Sequence, residues 1–486
     1  MIITPRSIAD ARSTIIPAES RGASANRLLS PQHAAGSTRQ LPRIIPRLVR
    51  DRGLSPLVYG YRCDPNFQQW RRRCAKRYGE LIEGVRQESL CLTTERPKRV
   101  LREAVKTFLR SRLVHFHVLH ETWLGGKGPF RFQTLPEREA ALYARWRDQQ
   151  EGGEMLPWSL DPSVPCLEPF YRRGKSKGDG RWRTFYTFGI VRSTRQRLVD
   201  AALAAASCRM YRGQALYGGG MSTVVETITQ MLKDNPLLTH CAKVDIRNCF
   251  DNIRLDLAQE VLPLTPKVIQ HTVAIDVKEA IDQRERDHRR YEHYLRRCDE
   301  SFASGPSLAL PQGAASSPLV AYWLIEAGLQ PLPPGRVFSY GDDLFVLGES
   351  QDDVSAQVCR FQQFFERHPA GPLQIDWEEP RDVRDGIEFL GIEFKRIQLT
   401  TSEARSYLVS ARLPREARTQ FLDSVRWRAE RGQACGDRAL SDASRYVRSF
   451  LGSLSTHDRV ELLVAACSII EDLGVDATPI WDLGAG

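Results

Sequence analysis

Apolar residues recur along this chain with two different periods, and the periods divide it into regions. Over 55–150 the apolar positions fit mainly helices, and three further helical segments are predicted at 413–430, 441–454 and 458–473. The stretch between them carries short apolar runs that predict strands, such as 241–246. The pattern therefore predicts helices at both ends of the chain and strands in the middle.

The most informative strands flank the sequence YGDD. Short apolar runs at 336–340 and 344–347, with Gly341 between them, predict a β-hairpin. Asp342 and Asp343 then stand side by side at its tip, where two carboxylates repel each other unless a cation lies between them. Mg²⁺ binds one or two carboxylates together with substrate phosphates. The hairpin is therefore a candidate metal site.

A second acidic pair, Asp352-Asp353, has a structural explanation instead. It opens a helical run at 354–365, and acidic residues stabilise the first turn of a helix. What distinguishes the YGDD pair is a third carboxylate upstream, because Asp245 lies at the end of the predicted buried strand 241–246. Carboxylates from two segments can hold two metal ions about 3.5–4 Å apart, which stabilise the attacking and leaving oxygens of a phosphoryl transfer.

A glycine-bearing loop lies between the two acidic segments. The sequence LPQGAASSPL at 310–319 leads into an apolar helix at 320–325, and Gly313 permits close approach of the backbone to a nucleotide. Taken alone, this is an ordinary loop before a helix. Its place in the chain gives it meaning, since Asp245, this loop and the YGDD hairpin are followed by FLGIEF at 389–394.

This order of four motifs resembles motifs A, B, C and E in the palm of the reverse transcriptase family. The resemblance implies two Mg²⁺ ions, for which Mn²⁺ can substitute. It also implies a set of site residues: catalytic and metal-binding Asp245, Asp342 and Asp343 with the backbone carbonyl of Ile246, dNTP-binding Gln312 and Gly313, and a primer grip of Phe389, Leu390 and Gly391.

A basic segment upstream extends the resemblance. The sequence KSKGDGRWR at 175–183 is similar to the fingers hairpin of prokaryotic reverse transcriptases, which grips the incoming triphosphate. The implied dNTP-binding residues are Lys177 and Arg183, followed by Lys175 and Arg181. A solvated basic loop is the alternative explanation for each of them.

The nucleotide sugar needs a separate argument, because GDD hairpins also occur in RNA-dependent RNA polymerases. Phe250 follows Asp245 by five residues, and an aromatic side chain there would crowd the ribose 2′ position and select deoxynucleotides. A site built for ribonucleotides uses a polar partner for the 2′-hydroxyl. We therefore expect an RNA-directed DNA polymerase that adds dNTPs to a primer 3′-hydroxyl. An RNA polymerase and a catalytically silent RNA-binding scaffold are the alternatives.

One segment departs from the family pattern. The sequence LQIDWEEP at 373–380 is acidic where motif D of the family carries a lysine proposed to protonate the leaving pyrophosphate. General-acid catalysis contributes about 10²–10⁴-fold, so its loss would slow synthesis without abolishing it. Arg381 and Lys395 are the candidate replacements.

Composition adds modest constraints. A formal net charge of +10 favours a polyanionic partner. Candidate template–primer or RNA contacts are the arginines Arg71, Arg72, Arg73, Arg415, Arg418 and Arg426. Eleven cysteines without a CxxC pair fit reduced thiols in a cytosol better than disulfides or a zinc site. The apolar stretches fall short of the ~20 residues of a membrane span, so we expect a cytoplasmic bacterial protein without membrane contact.

The predicted fold class is α+β, a right-hand polymerase with a mainly helical N-terminal extension. Its predicted parts are a basic, weakly structured arm at 1–50, the helical extension at 51–160, fingers at 161–240, a palm at 241–400 with a fingers-like helical insertion at 254–305, and a helical thumb or C-terminal region at 401–486. The arm is rich in arginine and poor in acids. It fits an arm that orders on RNA or on a subunit, and an organelle transit peptide is the alternative.

The flanking regions bear on the biological role. A standalone polymerase with an N-terminal extension and a helical tail most resembles the bacterial defence-associated (antiphage) reverse transcriptases. That resemblance implies an RNA template, with a dedicated noncoding RNA as one candidate, a DNA product, and a homo-oligomer or a partner protein. A retron-type or other standalone reverse transcriptase outside defence is the alternative.

Overall fold

The computed structural model describes residues 54–91, 98–125, 133–153, 156, 158–176, 182–207, 221–282, 308–329, 336–400, 405–435, 446–447, 450 and 456–473. The predicted arm at 1–50 and positions 283–305 of the predicted insertion lie outside these residues. No helix in the described ranges is long and apolar enough to cross a membrane.

The N-terminal region is helical, as its apolar periodicity predicts. Its helices are α1 (Leu54–Cys63), α2 (Pro65–Leu90), α3 (Lys98–Arg110), α4 (Arg112–Leu124) and α5 (Leu135–Gln150). The start of α2 is fixed by Asp64, whose side chain accepts hydrogen bonds from the backbone N–H groups of Asn66 and Phe67. The aromatic ring of Phe67 is fully buried and packs edge-on against Tyr143 of α5.

The next region carries a hairpin, two longer helices and a series of short elements. They are β1 (Tyr171–Ser176), β2 (Trp182–Thr187), α6 (Ile190–Ala206), α7 (Met221–Asp234), β3 (His240–Ile246), α8 (Cys249–Asn252), short helical turns at Ala258–Glu260, Pro266–Val268 and Ile269–Val273, and the two-residue strands β4 (Ile275–Asp276), β5 (Ile281–Asp282) and β6 (Leu308–Ala309). The predicted helical insertion is therefore, in its described part 254–282, a set of turns. Pro263 and Pro266 explain the difference, because proline cannot sit inside a longer helix.

The central sheet is antiparallel and places the acidic motifs next to each other. After α9 (Ser317–Leu329) come β7 (Val337–Tyr340), β8 (Asp343–Gly348), α10 (Gln351–Glu366), β9 (Ile375–Trp377) and β10 (Arg381–Asp382). The strand order is β10-β3-β8-β7, and β9 pairs with the other end of β3 on the same side as β10. Most side chains of β3 and β8 are buried, which makes these two strands the rigid centre of the sheet.

The C-terminal region is not wholly helical, contrary to the prediction for 401–486. After β11 (Ile387–Phe389), strand β12 (Ile392–Thr400) pairs along its whole length with β13 (Arg405–Arg412), and only then follow α11 (Arg415–Cys435) and α12 (Thr456–Asp472). Leu408 is exposed and Val409 is buried, so side chains alternate between the two faces as a strand requires.

Candidate active site

The tip of the β7–β8 hairpin meets the end of β3. The turn consists of Gly341 and Asp342, and Gly341 has φ +67°, which a two-residue hairpin turn with glycine at its first position requires. Asp343 lies directly opposite Asp245, and the backbone N–H of Ile246 donates to the carbonyl of Asp342 at 3.2 Å. Directly opposite residues of an antiparallel pair point to the same face. The Asp245 and Asp343 side chains therefore share one face of the sheet.

Burial and like charge both act on the Asp343 carboxyl. Burial and, after it, the negative charges of Asp342 and Asp245 raise the pKa of Asp343 from 3.8 to about 6. The positive charges of Lys243 and Arg183 oppose this rise in pKa and are outweighed. Asp342 and Asp245 are thus close enough to Asp343 to disfavour its ionisation, an effect that a bound cation would offset.

The donor chemistry of this face fits Mg²⁺. Carboxylate oxygens are the ligands that hard divalent cations prefer, and Mg²⁺ usually completes its shell with water and substrate phosphates. Among the described residues, no group of three or more His, Cys, Asp or Glu side chains is arranged to hold a metal ion by itself. Asp245, Asp342 and Asp343 stay the predicted ligands of Mg²⁺, and a nucleotide would have to complete the set of ligands.

The turn after β3 positions Phe250. Asn248 has φ +47° and precedes α8, and the side-chain amide of Asn252 donates to the Arg247 carbonyl at 2.9 Å. Phe250 is half-buried and packs against the main apolar core. Core packing therefore holds the Phe250 ring in place, and its role as a wall against the nucleotide sugar stays a prediction.

The nucleotide-binding loop predicted at Gln312 and Gly313 docks onto the hairpin β1–β2. The backbone N–H of Tyr186 in β2 donates to the carbonyl of Gln312 at 2.9 Å. Gly313 has φ +101°, and a Cβ added there would lie 2.7 Å from the carbonyl oxygen of Tyr186. Glycine is therefore required here both for its backbone conformation and for the close approach of two chain segments.

The basic segment forms the predicted hairpin, with Lys175 of β1 opposite Arg183 of β2. Arg183 is exposed, and its positive charge lowers the pKa of Asp343, which places the guanidinium within electrostatic reach of the carboxylates. Lys177 and Arg181, and the side chain of Lys175, lie outside the part of the chain that the structure describes.

The predicted primer grip needs one correction. Leu390 and Gly391 form the turn between β11 and β12, with φ +53° and +73°. Phe389, however, is fully buried, and its ring centroid lies 5.1 Å from that of Phe345 in β8. Because apolar aromatic side chains fill the core, Phe389 anchors the turn beneath the hairpin and cannot itself contact a primer.

The six arginines predicted to contact nucleic acid differ in their exposure and in the contacts that they already make within the protein. The exposed ones are Arg72, Arg73, Arg415 and Arg426. The Arg71 guanidinium lies over the Tyr61 ring, 5.1 Å from its centroid. Arg418 pairs with Glu461 at 2.6 Å and so joins α11 to α12. A phosphate contact by Arg418 would therefore compete with an existing ion pair.

Sequence reasoning missed two residues on the carboxylate face. Arg247 donates through Nε to Asp376 at 3.0 Å and also bonds Asp376 through its terminal nitrogen, and Asp376 lies directly opposite Asp245 on β9. This pairing raises the pKa of Arg247 and lowers that of Asp376. The period-two alternation of Lys243 and Asp245 along β3 places these two on one face, and Arg247 follows in the turn directly after the strand.

The two predicted substitutes for the motif D lysine lie elsewhere. Arg381 of β10 is opposite Cys241, four residues before Asp245, and pairs with Glu378 at 3.7 Å. Lys395 belongs to β12, in a different sheet. Strand pairing therefore places Arg381 at the far end of β3 from Asp245, and it places Lys395 outside the central sheet.

Comparison with known families agrees with this geometry. Residues 176–394 match the family described as reverse transcriptase (RNA-dependent DNA polymerase). The matched segment contains β2 of the basic hairpin with Arg183, the glycine loop and all three carboxylates. A search of curated proteins found no match. The match identifies the chain as an enzyme, a nucleotidyltransferase of the reverse transcriptase type, and implies a right-hand polymerase fold for this segment, with an RNA template, a DNA product and dNTP substrates.

Proposed function

We propose that this nucleotidyltransferase extends a primer 3′-hydroxyl with dNTPs at Asp245, Asp342 and Asp343. The observation that carries the proposal is the strand register, which sets Asp245 opposite Asp343 at the tip of the hairpin. When bound, two divalent ions would activate the attacking hydroxyl and neutralise the triphosphate. The three carboxylates hold the charge that binds them, and Arg183 faces the phosphates from the fingers hairpin.

Asparagine substitution tests this centre. Asp342→Asn together with Asp343→Asn should lower single-nucleotide incorporation about 10³-fold or more, because metal-ion catalysis is worth several kcal/mol. The matched control is Asp352→Asn, an exposed acid in the first turn of α10 that should leave the rate unchanged. RNA binding, measured by filter retention, should persist in every variant. Full activity of the double variant would refute the assignment.

We infer that Phe250 selects the deoxyribose. An apolar wall discriminates by excluding the 2′-hydroxyl, and a ring fixed by core packing is suited to that role. Phe250→Ala should raise ribonucleotide incorporation relative to dNTP about 10- to 100-fold, measured with matched dNTP and NTP pairs. A wild-type preference for NTPs would instead identify an RNA polymerase. Incorporation of neither would favour a non-catalytic RNA-binding scaffold.

We infer that Arg247 stabilises the charge of the departing pyrophosphate. Its guanidinium lies on the carboxylate face, and Asp376 fixes its direction. An arginine with a raised pKa acts as a fixed positive charge and not as a proton donor, which suits a site without the motif D lysine. Arg247→Gln should lower incorporation about 10²-fold. Arg254→Gln removes a comparable exposed ion pair with Asp256 and is the control.

We place the activity in bacterial antiphage defence, on a dedicated noncoding RNA. The N-terminal helices and the C-terminal elements α11 and α12 lie outside 176–394, so the chain has surfaces to hold such an RNA or a partner. Expression with its neighbouring genes should reduce phage plaques, and the Asp342→Asn/Asp343→Asn variant should lose that protection. Protection that survives the double variant would separate defence from DNA synthesis. Absence of protection with full DNA synthesis would favour a retron-type or other enzyme outside defence.

A further inference from the structure

Two cavities adjoin each other between the N-terminal helices and the nucleotide-binding loop. The larger of the two has a volume of about 490 Å³, and its lining includes Tyr78 of α2, Arg197 and Asp200 of α6, and Ala315 of the loop. Ala315 is exposed and follows Gly313 by two residues. This cavity therefore opens beside the segment that is expected to hold the incoming nucleotide.

The smaller cavity, of about 220 Å³, lies between α2 and α4. Its lining includes Trp70, Arg72 and Phe116. His117 and Glu121 line both cavities, so the two lie side by side along α2 and α4. We call the two cavities together the template cleft. The volume of the smaller cavity is below the ~300–1,000 Å³ of sites that enclose a drug-sized molecule, so it holds at most a base or two.

The walls of the template cleft combine rings with positive charge. The rings of Tyr78 and His117 are 4.5 Å apart, and those of Trp70 and Phe116 are 5.5 Å apart. Burial lowers the pKa of His117, so its imidazole is neutral at pH 7. Flat rings beside guanidinium groups are the combination on which unpaired bases stack.

The charges along the cleft leave a small positive excess. Arg71, Arg72 and Arg197 line it together with two acids, Glu121 and Asp200. Glu121 lies 2.9 Å from Nδ1 of His120. Arg72 is exposed and lines the smaller cavity. Its charge therefore suits a phosphate of a chain that leaves the cleft.

We propose that the unpaired, not yet copied RNA template runs through this cleft, from Ala315 past His117 to Arg72. The proposal rests on the proposed function, since a template base paired with the dNTP at Gln312 and Gly313 continues into single strand beside that loop. Tyr78 and Arg71 lie on the same helix seven residues apart, which is about 10 Å along its axis. The cleft therefore follows α2 for a length of a few nucleotides.

Two primer–templates test the proposal. One has a single unpaired template nucleotide, and the other has a 5′ RNA extension of about ten. Wild-type protein should bind the longer extension about tenfold more tightly. Arg72→Gln with Ala75→Glu should remove that advantage, because it takes one positive charge from the cleft and adds a negative one at an exposed lining position. The slope of the logarithm of the binding constant against the logarithm of the salt concentration, measured on the long extension, should become shallower by about one unit, the value of one phosphate contact.

The control is Arg77→Gln, on the same helix and outside the lining of both cavities. It should keep the preference for the long extension. If wild type binds both templates equally, or if the Arg72→Gln/Ala75→Glu variant keeps the preference, the proposal is overturned. Incorporation on the single-nucleotide template should be the same in wild type and in the Arg77→Gln control. Its absence in wild type would instead count against the proposed function.

Discussion

Two aspartates show how differently the central sheet and the N-terminal helices use charge. On the sheet, burial and neighbouring carboxylates raise the pKa of Asp343 to about 6. In the helices, the Tyr143 hydroxyl donates to Asp64 at 2.5 Å, and this bond and two backbone N–H groups lower the pKa of Asp64. The first carboxylate is held where its ionisation is unfavourable. The second is held where hydrogen bonds favour its ionisation and outweigh the opposing effect of burial.

The difference teaches what each region is built for. On the sheet, the carboxylates near Asp343 repel it, and a bound cation would offset this repulsion. The sheet therefore has the charge of a cation-binding site. A carboxylate that caps α2 and bonds α5 contributes to the fold itself. Substitutions on the sheet should therefore affect chemistry more than stability, and equivalent substitutions in the helices should do the reverse.

The same glycine substitution in both regions gives the largest contrast. Gly313→Ala would place a Cβ 2.7 Å from the Tyr186 carbonyl at a φ of +101°, so the nucleotide-binding loop must shift. Because misplacement by about 1 Å can cost 10²-fold in rate, we expect incorporation to fall about 10²-fold. Gly79→Ala lies in α2 with nothing within 4 Å of the added Cβ, and it should stabilise the helix by up to ~1 kcal/mol.

Steady-state incorporation and thermal unfolding of the two variants measure this contrast. Equal activity of both would show that the contact between the loop and β2 does not position the nucleotide. An unfolded Gly313→Ala protein would show that the same contact is needed for the fold as well. A circular dichroism spectrum separates that outcome from a specific loss of rate.

A pH profile gives the next largest effect. With the pKa of Asp343 near 6, incorporation at limiting Mg²⁺ should fall about tenfold per pH unit below pH 6, because the protonated carboxyl cannot hold the ion. Raising the Mg²⁺ concentration should move the midpoint to lower pH, since the ion competes with the proton. RNA binding measured over the same range is the control. A midpoint near pH 4 that ignores Mg²⁺ would mean that Asp343 is not a ligand.

Incorporation needs the charged Asp343 carboxylate, but the same charge should lower the stability of the metal-free protein at neutral pH. The pKa of Asp343 in the folded protein lies above the ordinary aspartate value of 3.8, so the folded protein binds this proton more tightly than the unfolded chain does. The carboxyl therefore reduces stability as pH rises from about 4 through 6. In metal-free protein at pH 7, Asp343→Asn should raise the Tm by a few degrees, with no gain at pH 4. A lower Tm at pH 7 would contradict the repulsion argument.

How much the sequence predicts also differs between regions. Strand periodicity and the turn glycine predict the hairpin and the position of Asp245, because those signals are local. The Arg247–Asp376 pair depends on which strands become neighbours, and β9 pairs with β3 from 129 residues away. The strand Arg405–Arg412 lies in the region 401–486 that was predicted as a helical thumb, and its pairing with β12 is what the predicted helices from 413 onward did not include.

The N-terminal helices were predicted as helices, but the template cleft was not. It forms where α2, α4 and α6 approach the loop at Ala315, and no single segment carries that information. Periodicity indicates which face of a helix is buried. It does not indicate which helix covers that face, or where two helices leave a gap. The arginines at 71–73 could therefore be singled out only as a basic helix face.

Two helix caps give the smallest effect. Asp64→Ala removes the cap of α2. Ser350→Ala removes the cap of α10, in which the Ser350 hydroxyl accepts a hydrogen bond from the backbone N–H of Asp353 at 3.1 Å. Each should cost about 1–2 kcal/mol in the free energy of unfolding, seen as a Tm lower by a few degrees. Because α2 carries Arg71 and Arg72, only Asp64→Ala should also weaken binding of the long template extension. If Ser350→Ala weakened it equally, general loosening of the fold, and not the position of α2, would account for the effect.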